Sequence, residues 1–102
     1  MKKSVLILVL FLLSGVTFAN DAYQNAMKQA IDKLFQCQSV QEYVDVANQF
    51  ERISATETKE WLPLYYASFS YIMISFRETD NAKKDQYLDQ AQKYLEIGRA
   101  HV

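Results

Sequence analysis

The apolar residues of this chain recur at helical spacing in four blocks, which follow an unbroken apolar run near the N-terminus. The blocks cover residues 22–37, 40–54 and 60–76, and the last begins near Ala82. The residues predicted to face the core in the first, second and fourth blocks are Tyr23, Met27, Ala30, Ile31 and Leu34, then Tyr43, Val46, Ala47, Phe50 and Ile53, then Tyr87, Leu88, Ala91, Tyr94 and Leu95. This pattern predicts an all-α fold of four helices. Because few residues separate the first two blocks, we expect antiparallel helical hairpins.

Local signals mark where these helices begin. Ser39 and Glu42 have the spacing of a capping box, in which the serine hydroxyl accepts a hydrogen bond from the glutamate amide. Pro63 suits the first turn of the third helix, where its missing N–H costs nothing. Asp80 or Asn81 is expected to cap the fourth helix.

The third block is apolar or aromatic on nearly every side, so we expect a helix that is buried between its neighbours. One stripe repeats at helical spacing and is predicted to belong to the core: Trp61, Tyr65, Phe69, Ile72 and Phe76. A second stripe remains, formed by Lys59, Tyr66, Ser70, Met73 and Arg77. Either a partner or the first helix could cover it. Tyrosine and methionine on such a stripe suit an adaptable, partly hydrated contact.

The N-terminal run has the three regions of a secretory signal peptide, predicted as Met1–Ala19. Lys2 and Lys3 supply the positive region, Val5–Leu13 is the apolar region, and Ala19 ends a small-residue cleavage site. The alternative, a retained membrane anchor, is disfavoured because the apolar run is shorter than the roughly 20 residues that span a bilayer. Cleavage near Ala19 predicts a periplasmic or secreted domain of residues 20–102 with no membrane span.

Charge and composition exclude several function classes. Removal of Lys2 and Lys3 with the signal leaves 9 basic and 12 acidic residues, a net charge of −3, which offers no basic surface for nucleic acid. The single histidine, His101, stands near the C-terminus, and the sequence has no metal-binding His/Cys spacing and no phosphate-binding glycine loop. We therefore expect neither catalysis nor a cofactor. Cys37 is the only cysteine, so an internal disulfide is impossible. It is either a small buried residue or a thiol available for intermolecular pairing.

The two predicted hairpins resemble tetratricopeptide repeats, which are helix–turn–helix units. The second hairpin opens with Trp61-x2-Leu64 and closes with Ala91-x3-Leu95-x2-Gly98, close to the repeat pattern. It departs from the pattern in carrying Tyr65 where glycine is usual, and in the long interval between Ala67 and Ala91. Together with the signal peptide, the segments Glu60–Ala67 and Lys84–Ala91 resemble small exported repeat proteins of Bacteroidota.

This resemblance implies a function in protein interaction. The first helix of each hairpin lines the groove of such repeats, so the candidate partner groove is Lys59, Tyr66, Ser70, Met73 and Arg77. The leading hypothesis is a non-enzymatic module that binds a peptide or an exported or envelope protein. The alternative is a helical-bundle carrier of a small apolar ligand. A homodimer through the last helix is a further expectation.

The segment Ile97–Val102 ends the fourth helix without the polar capping helix that repeat solenoids need, and it is either a natural short tail or a non-native one. The codons ATC GGA AGA GCA CAC GTC would encode it, and they match sequencing-adapter DNA. We therefore expect a non-native tail, with the repeat protein truncated near Glu96. The nucleotide sequence of the source gene would test this expectation, because different codons would contradict it.

Overall fold

The computed structural model describes residues 21–101, the last of them by its backbone alone. The predicted signal peptide, Met1–Ala19, lies outside the described residues. Helix α1 covers residues 21–34, α2 covers Val40–Thr56, α3 covers Leu62–Arg77 and α4 covers Asn81–His101. Residues 21–101 contain no strand, so the prediction of an all-α fold with four helices is confirmed. None of the helices described combines the length and apolar character that crossing a bilayer requires.

Side-chain caps begin α2 and α4 where the sequence predicts them. The Ser39 hydroxyl oxygen accepts a hydrogen bond from the Glu42 amide at 3.2 Å and lies 3.1 Å from the Glu42 carboxylate, to which it donates. The Asp80 carboxylate accepts from the Ala82 amide at 3.1 Å. Pro63 lies in the first turn of α3, where no intrahelical donor is lost.

The core lies where α1, α2 and α3 meet, with one residue from α4. Phe50, Val46 and Ala47 of α2 are completely buried, as the apolar stripe of the second block predicts. The other buried hydrophobic residues packed with them are Met27, Ala30, Leu34, Cys37, Tyr43, Ala67, Tyr71, Ile74 and Ala91. The core prediction is thus confirmed for most of the α1 and α2 stripes, and Tyr23, Ile31 and Ile53 are partly buried beside them.

Helix α3 is rotated away from the predicted orientation. Its buried face carries Leu64, Ala67, Tyr71 and Ile74, whereas Trp61, Tyr65 and Phe76, predicted to be core, are 44%, 47% and 77% exposed. Phe69 and Ile72 of the same stripe are partly buried. The core prediction for that stripe is therefore wrong at three of its five positions.

Small residues explain this rotation. Helix α3 packs against both α2 and α4, and fully buried Ala67, Ser68 and Ser70 lie on its inner side. The Ser68 hydroxyl donates a 2.8 Å hydrogen bond to the Ala91 carbonyl of α4, so this buried polar group is satisfied across the helix interface. Large rings at these positions would hold neighbouring helices apart, so Trp61, Tyr65 and Phe76 lie on the outer side.

Helix α4 departs from the prediction in length and in its apolar face. It continues beyond Glu96 to His101, through the segment expected to be a tail, and nothing lies within 4 Å of a side-chain atom added at Gly98. Ala91 is buried as predicted, but Leu88 and Leu95, also predicted to face inward, are 44% and 41% exposed.

Two phenylalanines provide a matched test of this core. Phe50→Ala should lower the free energy of unfolding by about 3–5 kcal/mol, because a fully buried ring leaves a cavity. Phe76→Ala, at a ring that is 77% exposed, should change it by no more than about 0.5 kcal/mol. Urea denaturation followed by circular dichroism measures both changes. A larger loss for Phe76→Ala than for Phe50→Ala would contradict the observed orientation of α3.

Candidate functional site

The predicted partner groove lies mainly on the side of α3 that faces α2. Lys59 stands in the connection before α3 and is exposed, whereas Ser70 is completely buried and donates a 2.8 Å hydrogen bond to the Tyr66 carbonyl. Tyr66 and Met73 are partly buried against the core, and the Tyr66 ring stacks on Phe50 with centroids 5.3 Å apart. That this stripe binds a partner stays a prediction; in the folded chain, α2 occupies much of the space beside it.

Arg77, the last residue of the stripe, links the end of α3 to the α1–α2 connection through a hydrogen bond. Its Nη1 donates a 3.0 Å hydrogen bond to the Gln38 carbonyl, and its guanidinium lies 5.2 Å from the centre of the Tyr43 ring. This cation–π contact and the hydrogen bond explain why the side chain folds back along the protein. Arg77 therefore contributes to structure at this end of α3.

The two exposed aromatic residues at the start of α3 border a cleft. Trp61 and Tyr65 are in edge-to-face contact, with centroids 6.1 Å apart, and they face α4 across a cleft of about 230 Å³. The cleft is lined by Trp61, Tyr65, Tyr94, Leu95, Gly98 and Arg99. We call Trp61, Tyr65, Leu88 and Leu95 the α3–α4 apolar face. All four were predicted from the sequence to be core, and all four are more than 40% exposed.

A carboxylate holds Tyr94, which lines this cleft, in place. Glu51 of α2 accepts a 2.8 Å hydrogen bond from the Tyr71 hydroxyl through Oε1, and the Tyr94 hydroxyl donates to its Oε2. The Tyr71 ring also packs on Tyr94 and Tyr87, with centroids 6.1 and 6.0 Å away. Hydrogen bonds to a charged acceptor are the stronger kind. We call Glu51 with Tyr71 and Tyr94 the Glu51 clamp. It joins α2, α3 and α4 through one residue and fixes Tyr94 in the cleft wall.

The clamp also changes the acid–base behaviour of its tyrosines. Burial, followed by the hydrogen bond to Glu51, raises the pKa of Tyr94 to about 12. The same causes raise the pKa of Tyr71 well above its ordinary value of about 10. Both hydroxyls therefore stay protonated across the physiological range, as donors to Glu51 must be.

The Cys37 thiol is buried. Its side chain is only 7% exposed, and its thiol donates to the Lys33 carbonyl at 3.2 Å. Burial, followed by the nearby negative charge of Glu42, raises the pKa of the thiol, which disfavours the nucleophilic thiolate. The interpretation of Cys37 as a small buried residue near a helix end is confirmed.

Two other clefts flank α1. One, of about 320 Å³, lies between α1 and α2 beside Tyr23, Arg52 and Ile53. The other, also about 320 Å³, lies between α1 and the start of α3 beside Met27, Ile31 and Leu62. Burial, followed by the negative charges of Glu60 and Glu57, raises the pKa of Tyr23, which lines both of these clefts. Across residues 21–101, acidic, histidine and cysteine side chains form no cluster able to hold a metal ion.

No protein-family model, curated protein or solved structure matches this chain.

Sequence reasoning missed the Glu51 clamp. Glu51 follows Phe50 on an amphipathic helix, so its position predicts an ordinary solvent-facing charge. Its two hydrogen-bond partners lie 20 and 43 residues away in the sequence. One signal was available, since Tyr87 and Tyr94 are seven residues apart and therefore share a face of α4. The carboxylate they would meet could not be read from that spacing.

The raised tyrosine pKa values predict a loss of stability at alkaline pH. Because the folded state holds these protons more tightly than the unfolded chain, the clamp contributes fully below pH 10, and its contribution falls as pH rises from about 10 to about 12. Tyr94→Phe should lower the free energy of unfolding at neutral pH by about 1–2 kcal/mol and make the alkaline loss less steep. Urea midpoints measured from pH 8 to pH 12 test both effects.

Tyr65→Phe is the matched control, because its ring is exposed on the outer side of α3. It should keep the neutral-pH stability of the unmodified chain. If Tyr94→Phe instead shows the same neutral stability and the same alkaline slope as Tyr65→Phe, the clamp does not contribute to stability.

Proposed function

We propose that this protein is a non-enzymatic interaction module of the periplasm or cell envelope, which binds a peptide or protein partner on the α3–α4 apolar face. One observation carries the proposal. Trp61, Tyr65, Leu88 and Leu95 follow the spacing of buried residues, yet all four stay exposed. Trp61, Tyr65 and Leu95 line one cleft, and Leu88 lies two turns before Leu95 on the same side of α4. Neighbouring exposed apolar residues of this kind mark interaction sites more often than isolated ones.

The chemistry of this face suits protein recognition. Tryptophan and tyrosine are enriched among residues that dominate binding energy, because their large rings lose little conformational entropy when they are covered. The Glu51 clamp holds Tyr94 in the cleft wall, so part of the surface is ordered before a partner arrives. A preordered surface binds with a smaller entropy cost.

The proposal includes a repeat-like arrangement of antiparallel hairpins. Its support is the order of the contacts: Tyr66 meets Phe50, whereas Arg77, farther along α3, meets Gln38 and Tyr43, earlier in the chain. Neighbouring helices with short connections adopt this reversed order. The exported location follows from the predicted signal peptide, and the likeness to tetratricopeptide repeats from the motifs of the second hairpin.

Carriage of a small apolar ligand is the alternative function. The clefts of 230 and 320 Å³ lie at or below the lower end of the roughly 300–1,000 Å³ of typical ligand pockets, and they are open at the surface. An apolar cargo in them would keep much of its surface in water. The α3–α4 apolar face therefore gives more support to macromolecular binding than to carriage.

The proposal is tested by affinity capture from an envelope extract of the source organism. The variants Trp61→Ala and Tyr65→Ala should each lose a captured partner at least tenfold, because each removes a central ring. Phe76→Ala is the matched control, since it removes an even more exposed ring near the opposite end of α3 and should retain the partner. Circular dichroism checks that every variant keeps its helices.

A captured set that is identical for all three variants and the unmodified chain would contradict binding through this face. Loss with Phe76→Ala alone would place the site at the other end of α3 and would also contradict the proposal.

A further inference from the structure

The α3–α4 apolar face has a size that helps to identify what covers it. An aromatic side chain buries about 150–250 Å² when fully covered, so rings that are 44% and 47% exposed each offer roughly 70–120 Å². With Leu88 and Leu95, the face amounts to roughly 300–400 Å². A stable dimer buries about 800 Å² on each subunit, of which about 450 Å² is apolar, so the apolar area of this face falls somewhat short of what a dimer needs. Its area fits one short segment better than a second copy of the chain.

The backbone of that segment is constrained by the helices beneath it. Between their terminal turns, the N–H and C=O groups of α3 and α4 are bonded within their own helices, so along the middle of the face none is left for an extended chain. An extended peptide laid on these side chains would bury polar backbone groups without partners. A helical segment brings its own hydrogen bonds and presents only side chains to the face.

The protein already contains a helix bound in this way. On its opposite flank, α3 sits over α2 with the Tyr66 ring stacked on Phe50, and Leu62 borders a cleft with Met27 and Ile31 of α1. One helix thus covers apolar residues contributed by two others. The α3–α4 apolar face also has apolar residues from two neighbouring helices, Trp61 and Tyr65 at one and Leu88 and Leu95 on the next. No helix among residues 21–101 covers them.

We propose that the partner segment bound on the α3–α4 apolar face is an amphipathic α-helix of two to three turns. This inference rests on the proposed function and specifies its partner. Leu88 and Leu95 lie about 10 Å apart along α4, so a partner helix needs apolar side chains at positions i, i+3 or i+4, and i+7 to follow them. One of these side chains fills the cleft between Trp61 and Leu95. The four residues that define the face precede Ile97, whereas Gly98 and Arg99, which also line the cleft, belong to the segment expected to be a tail.

Trp61 is the only tryptophan in the chain, so its fluorescence reports directly on this face. The test uses the chain from Asn20 to Val102, the form expected after signal cleavage. The first probe is an 18-residue peptide of alanine, glutamate and lysine with leucines on one helical face. The second probe has the same composition, with the leucines distributed around the helix.

Binding of the first peptide should shift the Trp61 emission to shorter wavelength, because the ring loses contact with water. We expect the second peptide to bind at least tenfold more weakly. Tyr65→Ala and Leu95→Ala should each weaken the first peptide at least tenfold. Phe76→Ala, about 16 Å away from Tyr65 along α3, should stay within threefold of the unmodified chain.

Three results would overturn the inference. If both peptides bind equally, the face recognises apolar residues without helical register. If neither peptide shifts the emission at millimolar concentration, the face does not accept a helix. If the emission shifts with protein concentration alone, in step with dimer formation in light scattering, a second copy covers the face. Affinity capture detects any partner, whatever its conformation. In the first two cases, loss of capture with Trp61→Ala and Tyr65→Ala would therefore still support the proposed function.

Discussion

The double hydrogen bond to Glu51 is the interaction on which the rest of the structure depends. Helix α3 separates α2 from α4, and the carboxylate of Glu51 reaches past it to accept from Tyr94 while also accepting from Tyr71. A domain of this length has a thin core, and a single cysteine cannot supply a disulfide. A bond to a charged acceptor that links three helices is therefore a large share of what holds α4 in register. The buried Ser68–Ala91 hydrogen bond joins α3 and α4 about one helical turn away from Tyr71 and Tyr94.

The amphipathic helices could be predicted from the sequence, because their apolar and polar residues alternate with a clear phase. The stripes of α1 and α2, the Ser39 cap and the buried state of Cys37 are of this kind. The orientation of α3 could not be predicted in the same way, since a helix that is apolar on nearly every side carries little phase information. Ala67, Ser68 and Ser70 decided it, because they allow close approach of neighbouring helices.

The errors in the core prediction are themselves informative. Trp61, Tyr65, Leu88 and Leu95 were assigned to the core for a sound physical reason, and all four are exposed. Three of them line one cleft, and Leu88 lies two turns before Leu95 on the same side of α4. Sequence periodicity shows that these residues suit burial, whereas the structure shows that α1, α2, α3 and α4 do not bury them. Neither source alone would single out this face. The Glu51 clamp links the two observations, since the tyrosine that it fixes also lines the cleft between Trp61 and Leu95.

The central claim is that the folded chain presents Trp61 at an open face instead of enclosing it in the core. Acrylamide quenching of the single tryptophan tests this claim most directly, measured on the folded monomer and again in concentrated urea. With Trp61 44% exposed, we expect the folded chain to be quenched with roughly half the efficiency of the unfolded chain. A folded monomer whose tryptophan is almost inaccessible to acrylamide would contradict the account, because it would place Trp61 inside the core as its sequence pattern alone predicts.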